Sequence, residues 1–204
     1  MSAAVRDRAP RWRTAAAVTL AFVVVLWVLE GVDTLLGGTL DGGGIRPRSD
    51  DGVIGVLLAP LLHAGWGHLI GNTIPVLVLG FLVLATHLAR GLAVTAIVWL
   101  VGGMGTWLVA PTYTIHLGAS TLVFGWLLYL ILRGVFSLRV GEIALGVVLL
   151  LAYGGLLWGV LPGQPGVSWQ SHLFGALGGA LAAWWLRGRE ERRRRRSPSE
   201  WNTF

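Results

Sequence analysis

Long apolar runs separated by short polar segments dominate this chain. A helix needs roughly 20 mostly apolar residues to cross a bilayer. We predict membrane spans at residues 14–36, 67–86, 92–110, 117–132, 140–161 and 170–186. The pattern therefore predicts an all-α membrane protein, in which a six-helix domain over residues 14–186 lies between a basic tail (1–13) and an Arg-rich tail (187–204).

The positions of the arginines predict the orientation of these spans. All 16 basic residues are arginines, and 14 of them lie in the two tails and in the loops after the second and fourth spans. Arg46 and Arg48 lie in the loop after the first span. The positive-inside rule then places both termini in the cytoplasm. We expect the tail at 187–204 to be disordered and to bind anionic lipid rather than nucleic acid.

Composition narrows the class of protein further. Hydrophobic residues make up 54% of the chain and charged residues only 13%, about half the charge of a soluble domain. Cysteine is absent, which excludes disulfides, thiolate metal sites and cysteine nucleophiles. No carboxylate stands at ligand spacing beside His63 and His68, so we expect neither a metal nor a cofactor. Arginine without lysine indicates a GC-rich bacterial source and hence a bacterial inner membrane.

Four polar residues fall at one predicted depth, near the outer ends of three spans. His68 and Asn72 lie in the second span, Ser120 in the fourth and His172 in the sixth. Polar groups inside a membrane are costly and commonly functional. A histidine can activate a serine hydroxyl for nucleophilic attack. His68 and Asn72, four residues apart, share a helix face and can both donate hydrogen bonds to an oxyanion.

Each of these residues also has a plainer interpretation. A serine in a membrane helix usually bonds to its own backbone, a histidine near a helix end is often interfacial, and an asparagine can join two helices. Their coincidence at one depth favours a common site over three separate explanations.

Small residues on the sixth span support a pairing between Ser120 and His172. Gly175 and Gly179 follow His172 at intervals that place all three on one helix face. Such a GxxxG face lets two helix backbones approach closely. If the partner is the fourth span, which carries Gly125, the approach brings His172 within reach of Ser120.

Three motifs, taken together and in this order, resemble those of the rhomboid intramembrane serine proteases. The motifs are His63-Ala-Gly-Trp-Gly-His68-Leu-Ile-Gly-Asn72, Gly118-Ala-Ser120-Thr121, and Ser171-His172-Leu-Phe-Gly175-Ala-Leu-Gly-Gly179. The resemblance extends over residues 53–185, and it implies a six-helix rhomboid-like bundle.

The resemblance also implies roles for individual residues. Ser120 would be the nucleophile and His172 the general base, in a dyad that has no carboxylate. His68 and Asn72 would stabilise the oxyanion, and the turn at Gly118 would let the fourth helix start deep in a water-filled cavity. The substrate would be a transmembrane segment of a membrane protein, cut near the outer membrane surface.

The chain departs from the family pattern at two positions. Thr121 replaces a common glycine, and its side chain either crowds the dyad or packs toward another helix. Phe124 replaces a common tyrosine and can still stack on the base. His63 is either a further hydrogen-bonding group of the site or an interfacial residue, and we expect His116 to be interfacial.

Two other classes of function compete with an active protease. A non-catalytic rhomboid-like protein would bind membrane clients without cutting them, but such proteins typically lack the serine or the histidine. Thr121 is the one feature that favours this alternative. A transporter with a histidine relay would spread ionisable groups through the membrane, whereas here they cluster near one surface.

Overall fold

The computed structural model describes the backbone of residues 11–195 and the side chains of residues 12–187. Its α-helices are α1 (Arg11–Leu35), α2 (Asp50–Leu58), α3 (Trp66–Thr86), α4 (Leu88–Val109), α5 (Ser120–Ser137), α6 (Val140–Tyr153) and α7 (Trp169–Arg195). Short 3₁₀ helices cover Leu40–Gly43, Ala59–Leu61 and Gly154–Val160. The described part of the chain contains no strand, only an isolated antiparallel bridge between Ile45 and His116. The prediction of an all-α fold is confirmed.

Five helical segments of the described chain are long and apolar enough to cross a membrane. They are Trp12–Leu35, Trp66–Thr86, Leu88–Val109, Ser120–Ser137 and Val140–Val160. The predicted span at 170–186 lies within α7, which begins with the polar run Gln170, Ser171 and His172 and is therefore less apolar than the others. The count of six spans and the cytoplasmic position of both termini stay predictions.

Helix α5 forms the centre of the bundle. It is 56% buried, more than any of the other four apolar segments. Its side chains Leu122 and Leu127 are fully buried in a core that also contains Leu79 of α3, Val98 of α4 and Ala182 of α7. Burial of this apolar surface among its neighbouring helices holds the start of α5 in a fixed place.

Glycines bring the backbones of α5 and α7 into contact, as the spacing of Gly175 and Gly179 predicts. A Cβ atom added to Gly175 would lie 2.3 Å from the carbonyl oxygen of Thr121, and one on Gly179 would lie 2.0 Å from that of Gly125. No other residue fits at such an approach. Because α5 and α7 begin at the same end of the bundle, this contact places their first turns side by side.

The segment between α1 and α3 supports the loop that leads into α5. Val56 and Ala59 are buried against Trp107 and Leu117. The carbonyl oxygen of Ala59 accepts a hydrogen bond of 2.8 Å from the amide of Gly118. The loop before α5 is therefore fixed from outside the helix.

Three boundaries differ from those predicted. Helix α5 starts at Ser120 rather than at 117, because Gly118 has a positive φ of 123° that a helix cannot contain. A 3₁₀ helix replaces the end of the predicted fifth span from Gly154. Helix α7 continues to Arg195, which corrects the start of a disordered tail at 187, since arginine and glutamate favour helix. Residues 1–10 and 196–204 of the two predicted tails lie outside the described residues.

Candidate active site

The first turns of α5 and α7 bring Ser120 and His172 together. Ser120 Oγ lies 2.9 Å from His172 Nε2, and His172 Nδ1 lies 3.0 Å from the carbonyl oxygen of Gly159. A carbonyl oxygen only accepts, so Nδ1 carries the hydrogen and Nε2 is left to accept the serine proton. The imidazole is thus in the tautomer that a general base requires.

Phe124 and Gly159 both contact the imidazole of His172. The ring of Phe124 stacks on that of His172, with centroids 4.0 Å apart and planes 10° from parallel. A Cβ atom on Gly159 would lie 3.0 Å from both Phe124 Cζ and His172 Nδ1. The stacking predicted for Phe124 is therefore present, and the space at the edges of the two rings leaves little room for a residue larger than glycine at position 159.

His68 lies against the turn that precedes Ser120. A Cβ atom on Gly118 would lie 2.6 Å from His68 Cε1 and 2.7 Å from Nε2. Together with its positive φ, this contact restricts the position to glycine. His68 Nδ1 accepts a long bond of 3.4 Å from the amide of Ala64, so Nε2 is the nitrogen that carries the hydrogen beside the turn.

Asn72 lies one turn further along α3, on the same face as His68. It is 7% exposed, and its Nδ2 donates 3.1 Å to the carbonyl oxygen of His68. An amide nitrogen carries two hydrogens, so the second can be donated to a group in the adjoining space.

A cavity of about 710 Å³ joins these groups. Its polar lining includes His68, Asn72, Ser120 and His172, and its apolar lining includes Val123, Pro75 and Leu156. A serine hydroxyl, an imidazole in contact with it and two hydrogen-bond donors therefore border one space, which is an arrangement that can support acyl transfer. Among the described residues, no group of three or more His, Cys, Asp or Glu side chains could hold a metal ion.

His63 is not interfacial. It is 2% exposed, and its Nε2 accepts a hydrogen bond of 3.3 Å from the amide of Ala119. Its ring contacts that of His68 edge-on, with centroids 5.1 Å apart. His63 thus fixes the backbone of Ala119, the residue immediately before Ser120.

Thr121 packs toward another helix and does not crowd the dyad. A Cβ atom on Gly102 of α4 would lie 2.3 Å from Thr121 Cγ2, which places the threonine methyl group against that helix. Thr121 is 7% exposed. Gly102 of α4 therefore acts as a packing position for α5.

The sequence did not reveal two features of the site. Gly159, the acceptor for His172 Nδ1, offers only a backbone carbonyl, so no side-chain pattern points to it. His116, expected to be interfacial, is 5% exposed and bonds to Thr114 and Ser168. The expectation failed because Ser168, which lies 52 residues away in the loop before α7, comes within hydrogen-bond distance of His116 only in the fold.

The chain has relatives in several bacteria. A family model described as Rhomboid domain matches residues 50–189. The uncharacterized protein Rv1337 of Mycobacterium tuberculosis is 48% identical over 193 residues, covering 91% of this chain and 80% of the relative. The uncharacterized protein ML1171 of Mycobacterium leprae is 44% identical over 196 residues, covering 92% and 78%. The Bacillus subtilis protein named "Putative rhomboid protease YdcA" is 31% identical over 143 residues, covering 67% and 69%.

Proposed function

This chain belongs to the rhomboid family, and we propose that it is an intramembrane serine endopeptidase that cleaves transmembrane segments near the outer membrane surface. It is an integral multi-pass membrane protein. The observation that carries the proposal is the 2.9 Å contact between Ser120 Oγ and His172 Nε2, with Nδ1 committed to the carbonyl oxygen of Gly159.

Acylation begins when Ser120 Oγ attacks the carbonyl carbon of the scissile peptide bond. His172 Nε2 takes the hydroxyl proton, and the imidazolium is oriented by the Gly159 carbonyl and by stacking on Phe124 rather than by a carboxylate. The negative charge that develops on the carbonyl oxygen is stabilised by the N–H groups of His68 and Asn72. His172 then returns the proton to the leaving amine.

Deacylation uses the same groups in reverse order. His172 Nε2 removes a proton from a water molecule, which attacks the ester formed on Ser120. The second oxyanion occupies the same donors, and its collapse releases the new carboxyl terminus and restores the serine hydroxyl. One base therefore serves both half-reactions.

The lipid-facing surface of the protein favours a substrate that is itself in the membrane. The helices expose large apolar side chains outward, among them Ile70 and Ile74 on α3, the helix that carries His68 and Asn72. A peptide bond in a membrane helix is hydrogen-bonded within that helix. Cleavage therefore requires a substrate segment with helix-destabilising residues, which can present an extended backbone to the cavity.

Reconstitution in liposomes tests this proposal. The wild-type protein is combined with a single-span substrate that carries a Gly-rich break in its outer third, and with a matched substrate in which leucines restore the helix. We expect mass spectrometry to find cleavage near the break in the first substrate and none in the second. Photo-crosslinking of the substrate without any cleavage would instead support a client-binding protein.

Asn72→Ala is expected to lower kcat about 100-fold and to leave KM nearly unchanged, because the donated hydrogen bond strengthens only as the oxyanion forms. Asn72→Asp keeps the shape of the side chain but removes its N–H donor, so its kcat should fall by at least as much. Steady-state kinetics in the same liposomes measure both values. A rise in KM that accounts for most of the loss would assign Asn72 a structural role.

Thr121→Gly is expected to preserve cleavage but to reduce stability by about 1–2 kcal/mol. The variant removes the methyl group that fills the space at Gly102 and places a glycine in a helix. Thr121→Val, which keeps that methyl group, is the matched control and should stay close to wild type in both properties. Thermal unfolding in detergent and cleavage rates check this, and lost cleavage in a well-folded Thr121→Gly would contradict it.

A further inference from the structure

A chain of buried and half-buried polar side chains joins α4, the loop before α5 and the start of α7. The contacts are Thr106 Oγ1 to Ser171 Oγ at 3.1 Å, Ser171 Oγ to Ser168 Oγ at 2.6 Å, Ser168 Oγ to His116 Nδ1 at 2.5 Å, and His116 Nε2 to Thr114 Oγ1 at 2.7 Å. Thr106, His116 and Ser171 are each at most 5% exposed. The catalytic steps proposed above use none of these groups.

The hydrogen bonds from Ser171 through Ser168 and His116 to Thr114 run in one direction, while the hydroxyl group of Thr106 donates at 2.7 Å to the carbonyl oxygen of Gly102. Thr114 Oγ1 donates its only hydrogen to the carbonyl oxygen of Pro111 at 2.6 Å, so it must accept from His116 Nε2–H. His116 Nδ1 is then an acceptor and receives the hydroxyl hydrogen of Ser168, which in turn accepts from Ser171. Burial lowers the pKa of His116 and so favours the neutral ring that this arrangement requires.

The fold fixes the backbone of His116, and Ser168 connects the side chain of His116 to His172. The backbone of His116 makes two hydrogen bonds to Ile45, of 2.8 and 3.0 Å, in the bridge that ties the loop to the α1–α3 segment. Ser168 immediately precedes α7, and its carbonyl oxygen accepts a 3.1 Å bond from the amide of His172. His116 is thus connected to the backbone of His172 through Ser168.

The hydrogen bond to the imidazole comes from a weakly packed element. The carbonyl of Gly159 belongs to the segment Val140–Val160, which is only 11% buried. A bond to that segment cannot by itself fix the distance between the base and Ser120. The first turn of α7 must be held independently.

We propose that His116 is a positioning residue, which fixes the first turn of α7 through Ser168 and so sets the distance between His172 and Ser120. The proposal deepens the proposed protease function, on which its kinetic consequence rests. A small displacement of a catalytic group lowers the rate while substrate binding is kept. Loss of the Ser168 bond therefore changes kcat rather than KM.

Three substitutions test separately the hydrogen bonds that the two ring nitrogens of His116 make. The amide of His116→Asn reaches the place of Nδ1 and can still accept from Ser168, whereas the amide of His116→Gln reaches the place of Nε2 and keeps only the contact with Thr114. Ser168→Ala removes the shared partner. Ser137→Ala, which deletes a hydroxyl group at the far end of α5, is the control.

The experiment measures cleavage kinetics, and ¹⁵N NMR of the histidine rings supplies a readout that does not depend on activity. We expect Ser168→Ala and His116→Gln to lower kcat about 10- to 100-fold at unchanged KM and to shift the ring-nitrogen signals of His172. We expect His116→Asn to retain most of kcat and of the wild-type spectrum. Unfolding temperatures should stay near that of Ser137→Ala.

Several outcomes overturn the proposal. Wild-type kinetics together with unshifted His172 signals in Ser168→Ala would overturn it. An equal loss of kcat in His116→Asn and His116→Gln would overturn it as well. If the wild-type protein cleaves nothing, the protease function fails, but the NMR comparison still decides the positioning. Shifted His172 signals in Ser168→Ala would then support it, and unshifted signals would refute it.

Discussion

We expect Ser120→Ala to abolish peptide-bond cleavage while the protein stays folded, and we expect the same of His172→Ala. Without the hydroxyl no acyl intermediate forms, and without the imidazole the hydroxyl keeps its proton. Groups that act as a unit each account for nearly the whole effect when removed singly, so we expect losses of about 10⁴-fold or more. The double variant should be no worse than either single one. Initial cleavage rates in liposomes measure all three.

The control for these variants is Ser137→Ala, which removes a serine hydroxyl from the other end of the same helix. It should cleave at the wild-type rate and unfold at the same temperature. Residual cleavage by Ser120→Ala above that of a protein-free membrane would show that another group is the nucleophile. Additive losses in the double variant would show that Ser120 and His172 act in separate steps.

Gly179→Ala is expected to separate α5 from α7 and to reduce stability and cleavage together. The added Cβ would lie 2.0 Å from the carbonyl oxygen of Gly125, which is backbone and cannot rotate away. Overpacking of this kind costs about 1–3 kcal/mol, equivalent to a fall in Tm of about 2–12 °C for a chain of this size. Because His172 lies on the same face of α7, its contact with Ser120 should lengthen, and cleavage should fall about 100-fold.

Gly31→Ala is the matched control for this change. Gly31 lies inside α1, and a Cβ atom there meets nothing within 4 Å. Alanine favours helix over glycine, so Gly31→Ala should be neutral or slightly stabilising. Thermal unfolding and cleavage rates of the two variants are compared side by side. Equal unfolding temperatures and cleavage rates in the two variants would mean that the close contact of α5 and α7 does not position Ser120 and His172.

The fold class and the packing of α5 on α7 follow from local sequence patterns. Hydropathy runs place the apolar helices, because a membrane helix must satisfy its backbone internally and cover itself with apolar side chains. The spacing of Gly175 and Gly179 behind His172 indicates a close helix contact, and the structure has that contact against α5. A common depth for His68, Asn72, Ser120 and His172 brings them to one cavity.

Features that depend on backbone groups or on distant loops could not be predicted. The partner of His172 Nδ1 is the carbonyl oxygen of Gly159, and every residue has such an oxygen. Thr114 lies in the same loop as His116, but Ser168 is 52 residues away and meets His116 only after α7 has packed on α5. Thr121 had two equally plausible directions, and Gly102 of α4 decides between them.

The measurement that tests the central claim most directly is fluorophosphonate labelling of the purified protein in detergent, with the labelled residue identified by mass spectrometry. It requires no substrate, because the reagent phosphonylates only a serine that a neighbouring base activates. We predict one adduct, on Ser120, that disappears in His172→Ala although the serine is still present. An unlabelled wild-type protein that is well folded, or an adduct on any other serine, would contradict the account.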